Sequence, residues 1–265
     1  MCTQVDSRKF EEVAVVAGNR RVGPGLFELA LKADRTAAAI RPGQFVHLLL
    51  DAHREHILRR PFSVYRIDDA GNVVVLYQVV GKGSALMGDL RPGDPCSLIA
   101  PLGNVWPMPA GDGRVLIVCG GLGSAPLFMF AQRLACEGVG FDVVLGARSA
   151  AHHVARERYA ALIGREPVIA TDDGSLGYAG FATEPAREML ATGAYSSVYC
   201  CGPDIFMKLV AGIASDAGVS CWVSEEKRMA CGVGACLSCV VETTAGKRRS
   251  CVDGPVFDAK DVVWA

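Results

Sequence analysis

Short runs dense in β-branched and aliphatic residues fill the first hundred positions, at 12–16, 44–50 and 72–80. Turn formers break them apart, with Pro42-Gly43 and Pro92-Gly93 the clearest. This pattern predicts an antiparallel β-barrel. At 107–113 the chain reads Pro-Met-Pro-Ala-Gly-Asp-Gly, a concentration of turn residues that marks a linker. Beyond it the period changes. Apolar strands at 114–119, 142–146, 167–171 and 197–201 alternate with helical stretches at 127–137 and 204–217, which predicts a parallel sheet with covering helices. After about residue 221 the hydrophobic period fades while glycine and cysteine accumulate, so a metal is expected to organise what a core does not. The expected architecture is multidomain: an antiparallel β-barrel over 1–107, an α/β parallel-sheet domain over 108–220 and a small C-terminal domain over 221–265.

Composition narrows the function. With 51% hydrophobic residues in 265 the chain is not disordered, and a formal net charge of -1 supplies no basic field for nucleic acid or an anionic membrane. Partners are therefore small molecules or another protein. The uncharged stretch 115–131 is interrupted by Gly120, Gly121, Gly123 and Pro126 and is too short to span a bilayer; it reads as strand, turn and helix. The polar opening MCTQVDSRKFEE lacks the apolar core of a secretory signal, which predicts a cytoplasmic location. In that reducing compartment the 11 cysteines are metal ligands or core residues rather than disulfides. Cys2, Cys96, Cys119, Cys136, Cys200, Cys201 and Cys221 are scattered, as small apolar residues are.

The remaining four follow the spacing Cys231-x4-Cys236-x2-Cys239-x11-Cys251, whose first part is the plant-type ferredoxin arrangement. Two irons bridged by two sulfides need four thiolates converging from opposite sides, three from one tight loop and one from a distant segment. Gly232 and Gly234 allow positive φ inside that loop, aiming amide N–H groups at sulfur. A structural zinc would favour paired short spacings on both sides, whereas here the second side offers Cys251 alone. A zinc-stapled interaction module is the competing reading of the tail.

A one-electron cluster beside a nucleotide-type domain suggests a flavin, which takes a hydride and releases electrons singly. In Arg59-Arg60-Pro61-Phe62-Ser63, Arg60 is suited to a pyrophosphate and Ser63 to the flavin ring. Gly81-Lys82-Gly83-Ser84 leads into a helical stretch at 85–90 whose free amides would hold phosphate, with Ser84 as N-cap. Taken singly, a surface arginine and an ordinary N-cap explain these residues as well. Gly120-Gly121-Leu122-Gly123-Ser124-Ala125-Pro126 lies between strand and helix, where a dinucleotide phosphate loop belongs, with Pro126 in the first helical turn. Cys200-Cys201-Gly202-Pro203 ends a later strand on the ligand-binding rim. Gly120, Gly121, Gly123, Cys201, Gly202 and Pro203 are thus the candidates for NAD(H). Asp172-Asp173-Gly174-Ser175 reads equally as an Asx turn or a ligand contact, and Arg148 as a solvated side chain. Glu226, just before the cluster loop, is placed near the flavin. His47, His53, His56, His152 and His153 form no catalytic pattern with a nucleophile and read as solvated or packing residues.

Taken together, the chain resembles the electron-transfer subunits of dihydroorotate dehydrogenase B, within the ferredoxin-reductase superfamily, over nearly its whole length. The residues that carry this are Leu58-Arg59-Arg60-Pro61-Phe62-Ser63, Gly81-Lys82-Gly83-Ser84, Pro101-Leu102-Gly103-Asn104, Thr171-Asp172-Asp173-Gly174-Ser175 and, most specifically, Met229-Ala230-Cys231-Gly232-Val233-Gly234-Ala235-Cys236 with Cys251-Val252-Asp253-Gly254-Pro255-Val256-Phe257. Phe62 stands where an aliphatic residue is usual, Ser84 replaces threonine, and the glycine loop lacks a third consecutive glycine. The resemblance implies FAD held by Arg60, Pro61, Phe62, Ser63, Gly83 and Ser84 and lined by Tyr77, Gln78 and Val79, an NAD-binding domain, and a 2Fe-2S cluster. It implies an FMN-containing catalytic subunit as partner, two of each in a heterotetramer, and electron flow from dihydroorotate through FMN, cluster and FAD to NAD in pyrimidine biosynthesis. Related diaphorase subunits of a hydrogenase, a sulfur reductase or a ferredoxin:NADP oxidoreductase share these parts.

Overall fold

A computed structural model describes residues 8–50, 58–111 and 113–264. Cys2, His53, His56 and Asp112 of the linker lie outside the described residues. Six antiparallel strands close a barrel in the order β1-β2-β5-β4-β3-β6. They are β1 (Phe10–Gly23), β2 (Leu26–Lys32), β3 (Phe45–Leu49), β4 (Arg60–Ile67), β5 (Val73–Gln78) and β6 (Pro95–Leu102). Strand β5 shows why its sequence is continuously apolar instead of alternating. Val73, Val75 and Tyr77 fill the barrel interior, while Val74 and Leu76 face outward and are covered by the second domain. Two short helices, α1 (Asp34–Ala39) and α2 (Lys82–Gly88), interrupt the strands.

The second unit runs β7 (Arg114–Gly120), α3 (Ser124–Cys136), β8 (Phe141–Ala147), α4 (Arg156–Ile163), β9 (Val168–Thr171), β10 (Tyr178–Ala179), α5 (Thr183–Ala191), β11 (Tyr195–Cys201), α6 (Asp204–Asp216) and β12 (Ser220–Ser224). Its sheet has the order β10-β9-β8-β7-β11-β12, all parallel, and the direction of winding reverses between β7 and β11. The two faces of β7 divide cleanly: Val115, Ile117 and Cys119 pack under α3, Leu116 and Val118 under α6. Helix α3 starts at Ser124, three residues earlier than the apolar period indicates, because the small residues Ser124, Ala125 and Pro126 are buried in its first turn.

Barrel and sheet share one core. Tyr65 of β4 lies 5.0 Å from Phe128 of α3, centroid to centroid, and Phe128 meets Tyr159 of α4 edge-on at 5.0 Å. Trp106 of the connection is buried, with Nε1 donating to the Pro126 carbonyl at 2.9 Å. Each such aromatic, fully removed from water, contributes about 1.5–3 kcal/mol.

The tail is less dependent on metal than its sequence indicates. It forms a hairpin of β13 (Val240–Thr243) and β14 (Gly246–Arg249), and then β15 (Val256–Asp258) joins the large sheet antiparallel to β12. Phe257, Ala259 and Val262 enter the sheet core. A three-residue strand is too brief to show a period, which is why this anchor is invisible in the pattern. Strand β12 also runs across position 221, so both sides of that expected domain boundary belong to the sheet.

Candidate functional site

Three surfaces meet near one end of the barrel. The first is built by β4 and α2. Arg60 opens β4 and its guanidinium crosses Gly83, so closely that a Cβ at Gly83 would overlap Arg60 Nε. The two phosphate candidates, separated by 22 intervening residues in sequence, thus form one cradle, in which the Arg60 guanidinium fills the space that a Cβ at Gly83 would take. Ser84 is not the N-cap. Helix α2 begins at Lys82 with Gly81 as its cap, and Ser84 Oγ accepts from the N–H groups of Val80 (2.9 Å) and Gly81 (3.1 Å). A third-position serine reaching backwards satisfies N–H groups just ahead of the helix.

Tyr77 is buried, stacked on Phe27 at 5.3 Å and edge-on to Phe62 at 6.1 Å, and its hydroxyl donates to Asn19 Oδ1. Asn19 in turn donates to the Met87 and Leu90 carbonyls at the end of α2. Asn19 therefore ties the cradle helix to the barrel wall, a role that no local signal marks. Pro61, Phe62 and Ser63 continue β4 opposite His47, Val46 and Phe45 of β3, all three half-buried; Gln78 and Val79 follow Tyr77, Gln78 exposed.

The second surface is the sheet's switch point, where open α/β folds bind ligands. Cys119 of β7 stands beside Cys201 of β11, so the glycine loop and the Cys-Gly-Pro segment leave the sheet side by side. A Cβ at Gly123 would meet the Cys201 carbonyl oxygen, and one at Gly202 would lie 3.1 Å from the Gly120 Cα. Gly121 takes φ +56 in a single 3-10 turn, and Pro203 caps α6. Burial pushes the Cys201 thiol well up, and the Glu226 carboxylate adds to that rise. Glu226 therefore sits at this rim. Burial raises its own carboxyl, with Asp204 and Glu225 adding to it. A cavity beside the loop is lined by Gly121, Ser124, Gly146, His153 and Arg156. Asp173 forms an Asx turn, its Oδ1 accepting from Ser175 N–H at 3.0 Å, and Arg148 is exposed. His152 Nδ1 is 2.7 Å from Ser149 Oγ and His153 Nε2 is 3.1 Å from the Ala170 carbonyl, so both are structural.

The third surface is the cysteine loop. Gly232 and Gly234 take φ +68 and +89, and Leu237 takes +57, the one non-glycine with positive φ among the described residues. The Cys231 sulfur accepts from the N–H groups of Val233 (3.5 Å) and Cys236 (3.4 Å). Burial acts to raise this thiol, but those donors, with the Cys236 thiol and Ala235 N–H, outweigh it and lower the group to about 6. Cys251, from beyond the β14 turn, is raised to about 12, first by burial and then by the adjoining Cys239 thiol. The four sulfurs are thus arranged as two neighbouring pairs, Cys231 with Cys236 and Cys239 with Cys251. Among the described residues no three metal-ligating side chains converge on one point.

The loop sits on the barrel. Cys239 and Cys251 pack against Phe45 of β3 and Leu102 of β6. Asn104 clasps the segment after Cys251: its side chain donates to the carbonyls of Asp253 (3.2 Å) and Val256 (2.8 Å) and accepts from Val256 N–H (2.9 Å). Gly103, at φ +78, lies so close to Pro255 that a Cβ would be 2.5 Å from its Cδ. Pro101-Leu102-Gly103-Asn104 and Asp253-Gly254-Pro255-Val256, two motifs without a role in sequence, are the halves of one joint.

A closed barrel with Arg60 laid over Gly83, a parallel sheet with a glycine rim at its switch point and a cysteine loop on the barrel define a ferredoxin-reductase-type flavin and pyridine-nucleotide oxidoreductase carrying an iron–sulfur domain. Residues 226–263 match the family described as the iron-sulfur cluster binding domain of dihydroorotate dehydrogenase B. Dihydroorotate dehydrogenase B (NAD(+)) electron transfer subunits are similar along the chain: that of Desulforamulus reducens is 36% identical over 92% of this chain and 94% of its own, that of Bacillus caldolyticus 38% over 95% and 98%. A solved structure of an NADH-dependent reduced ferredoxin-NADP oxidoreductase superposes with a TM-score of 0.87 at 28% identity, over 96% of this chain and 90% of that one. The ferredoxin reductase of carbazole 1,9a-dioxygenase shares the fold, with a TM-score of 0.66 at 20% identity over 80% of this chain and 67% of its own. The chain belongs to the family of dihydroorotate dehydrogenase B electron-transfer subunits.

Proposed function

We propose that the chain passes electrons from a dihydroorotate-oxidising, FMN-containing partner subunit to NAD, as the NAD-linked half of pyrimidine-forming dihydroorotate oxidation. The observation that carries this is the seating of the cysteine loop. Cys236 is exposed and flanked by exposed Val233 and Leu237, while Cys239 and Cys251 are buried on β3 and β6 of the barrel. A cluster held there has one edge at the molecular surface and the other against the flavin-type barrel, the placement a relay needs.

When bound, FAD exchanges a hydride with NAD(H) and single electrons with the cluster. The chain's own residues position and insulate. Arg60 and Gly83 hold the pyrophosphate; Pro61, Phe62, Ser63, Tyr77, Gln78, Val79 and Ser84 line the flavin. Gly120, Gly121, Gly123, Cys201, Gly202 and Pro203 admit the nicotinamide at the rim, with Glu226 beside it. Cys231, Cys236, Cys239 and Cys251 ligate the irons, and donors from Val233 and Cys236 favour the Cys231 thiolate. We divide the chain into an FAD-binding barrel to 107, an NAD-binding domain to about 225 and the cluster domain beyond, since β12 belongs to the sheet and the family match begins at 226. The assembly is a heterotetramer of two of each subunit in the cytoplasm. Among the described residues no helix is long and apolar enough to cross a membrane.

The test is purification from the native cell followed by cofactor analysis and turnover. An FMN-containing partner, FAD, iron and labile sulfide on this chain, and dihydroorotate-dependent NAD reduction are expected. A multi-flavin or nickel-containing partner without dihydroorotate turnover would overturn the assignment. It would favour the ferredoxin:NADP-type reading that the 0.87 TM-score supports.

A further inference from the structure

Strand β3 forms part of the wall between the barrel and the cysteine loop. Its inward residues Val46 and Leu48 fill the barrel, while Phe45 points the other way, onto Cys239 and Cys251. By the two-residue period His47 shares the outward face with Phe45. Its side chain is completely buried, 0% exposed, yet neither Nδ1 nor Nε2 makes a hydrogen bond of good geometry among the described residues, with the Arg59 and Cys231 backbone groups as its polar neighbours. The ring lies against Gly232, directly after the ligand Cys231. A Cβ at Gly232 would stand 2.5 Å from Nδ1, 3.1 Å from Cε1 and 3.2 Å from Cγ. On the barrel side His47 is paired with Pro61 of the flavin strand and with Ile99 of β6, and Arg59 Nη1 donates to its carbonyl at 3.4 Å.

A polar ring buried with partners of such poor geometry is costly, and such groups mark an acceptor or donor not yet in place. In either charge state the imidazole carries at least one N–H donor. Sulfur ligands of an iron–sulfur cluster are hydrogen-bond acceptors, and donors aimed at them stabilise the reduced, more negative cluster and raise its potential.

We propose that His47 is a positioning residue for the cluster. Its Nδ1–H, facing Gly232, donates into the sulfur-bearing side of the loop, raising the cluster's potential, while the ring fixes the loop's distance from the flavin strand through the β3 to β4 pairing. The inference rests on the iron–sulfur reading of the four cysteines. It adds a residue 184 positions before the first ligand to the electron relay.

The test uses the full chain holding FAD and cluster, as wild type, His47→Leu and His47→Gln. Iron and labile sulfide are counted, and the cluster and FAD midpoint potentials are measured separately by redox titration, the cluster by its electron paramagnetic resonance signal. His47→Leu keeps the volume and removes the donor. It is expected to shift the cluster midpoint negative by an amount equivalent to about tenfold in the one-electron equilibrium, about 59 mV. His47→Gln, which keeps an N–H, should recover part of the shift, and the FAD potential should stay put. A fully loaded His47→Leu protein with an unchanged cluster potential would overturn the proposal. Equal loss of iron and sulfide from both variants would do so too, by making the ring a mere filler. Wild type without iron or sulfide would instead sink the cluster reading itself.

Discussion

At the scale of single residues, the site is governed by where a side chain would not fit. Gly83 lies in the first turn of α2, where alanine is the better helix former by about 1 kcal/mol. Yet its Cβ would occupy the place of the Arg60 guanidinium. Gly83→Ala is expected to leave thermal stability unchanged or raised while weakening FAD about tenfold, roughly 1.4 kcal/mol. Flavin titration of the apo-protein beside a melting curve separates the two effects. His153 supplies a pH signature. Burial holds it below the ordinary 6.5, with Arg156 and His152 also opposing its protonation. The unfolded chain therefore takes up the proton first. The stability that His153 contributes is complete above pH 6.5 and is lost as pH falls from 6.5 towards the lower folded value. Melting temperatures measured from pH 7.5 to 5.5 should decline, and His153→Gln should flatten part of that slope.

At the scale of elements, the decisive feature is the joint between the end of β6 and the turn before β15. Asn104 satisfies one N–H and two carbonyls of the cluster domain with a single amide. Asn104→Ala strands these partly buried groups and should cost about 2 kcal/mol. The expected result is a cluster lost faster on dilution and increased amide hydrogen exchange confined to residues 250–258, with the FAD spectrum intact. Exchange spread evenly over the chain would contradict a local clasp. Elements were legible in the sequence where their period was long: β7, α3, β11 and α6 stand within a few residues of the hydrophobic pattern. They were not legible where an element is shorter than its period, as in β15, or where helix capping reverses direction, as at Ser84. Arg60 and Gly83 were legible as phosphate-type residues one by one. That they are a single cradle depends on the antiparallel pairing of β4 with β5, which brings the start of β4 beside the end of β5 and so beside α2.

At the scale of the whole molecule, the three units share continuous packing, so the cluster's distances to both neighbours are set by rigid surfaces. Its outer edge is ringed by Val233, 41% exposed, and Leu237, 63% exposed. Beside the exposed Cys236 they offer apolar contacts for a partner subunit. Leu237→Asp should leave FAD and cluster spectra unchanged and abolish co-elution with the FMN-containing subunit on gel filtration. Retained co-elution would place the partner elsewhere.

The sequence by itself determined the chemistry of this protein. Ligand spacing, glycine loops and strand and helix periods are local properties, and four thiolates at those intervals suit two irons wherever the chain carries them. Tertiary structure decided what the chemistry is connected to. Only folding lays the cysteine loop on β3 and β6, puts Asn104 beside residues that follow it by about one hundred and fifty positions, and buries His47 under Gly232. Such contacts arise from strand pairing and surface complementarity between distant segments, and no window of sequence contains both halves of them.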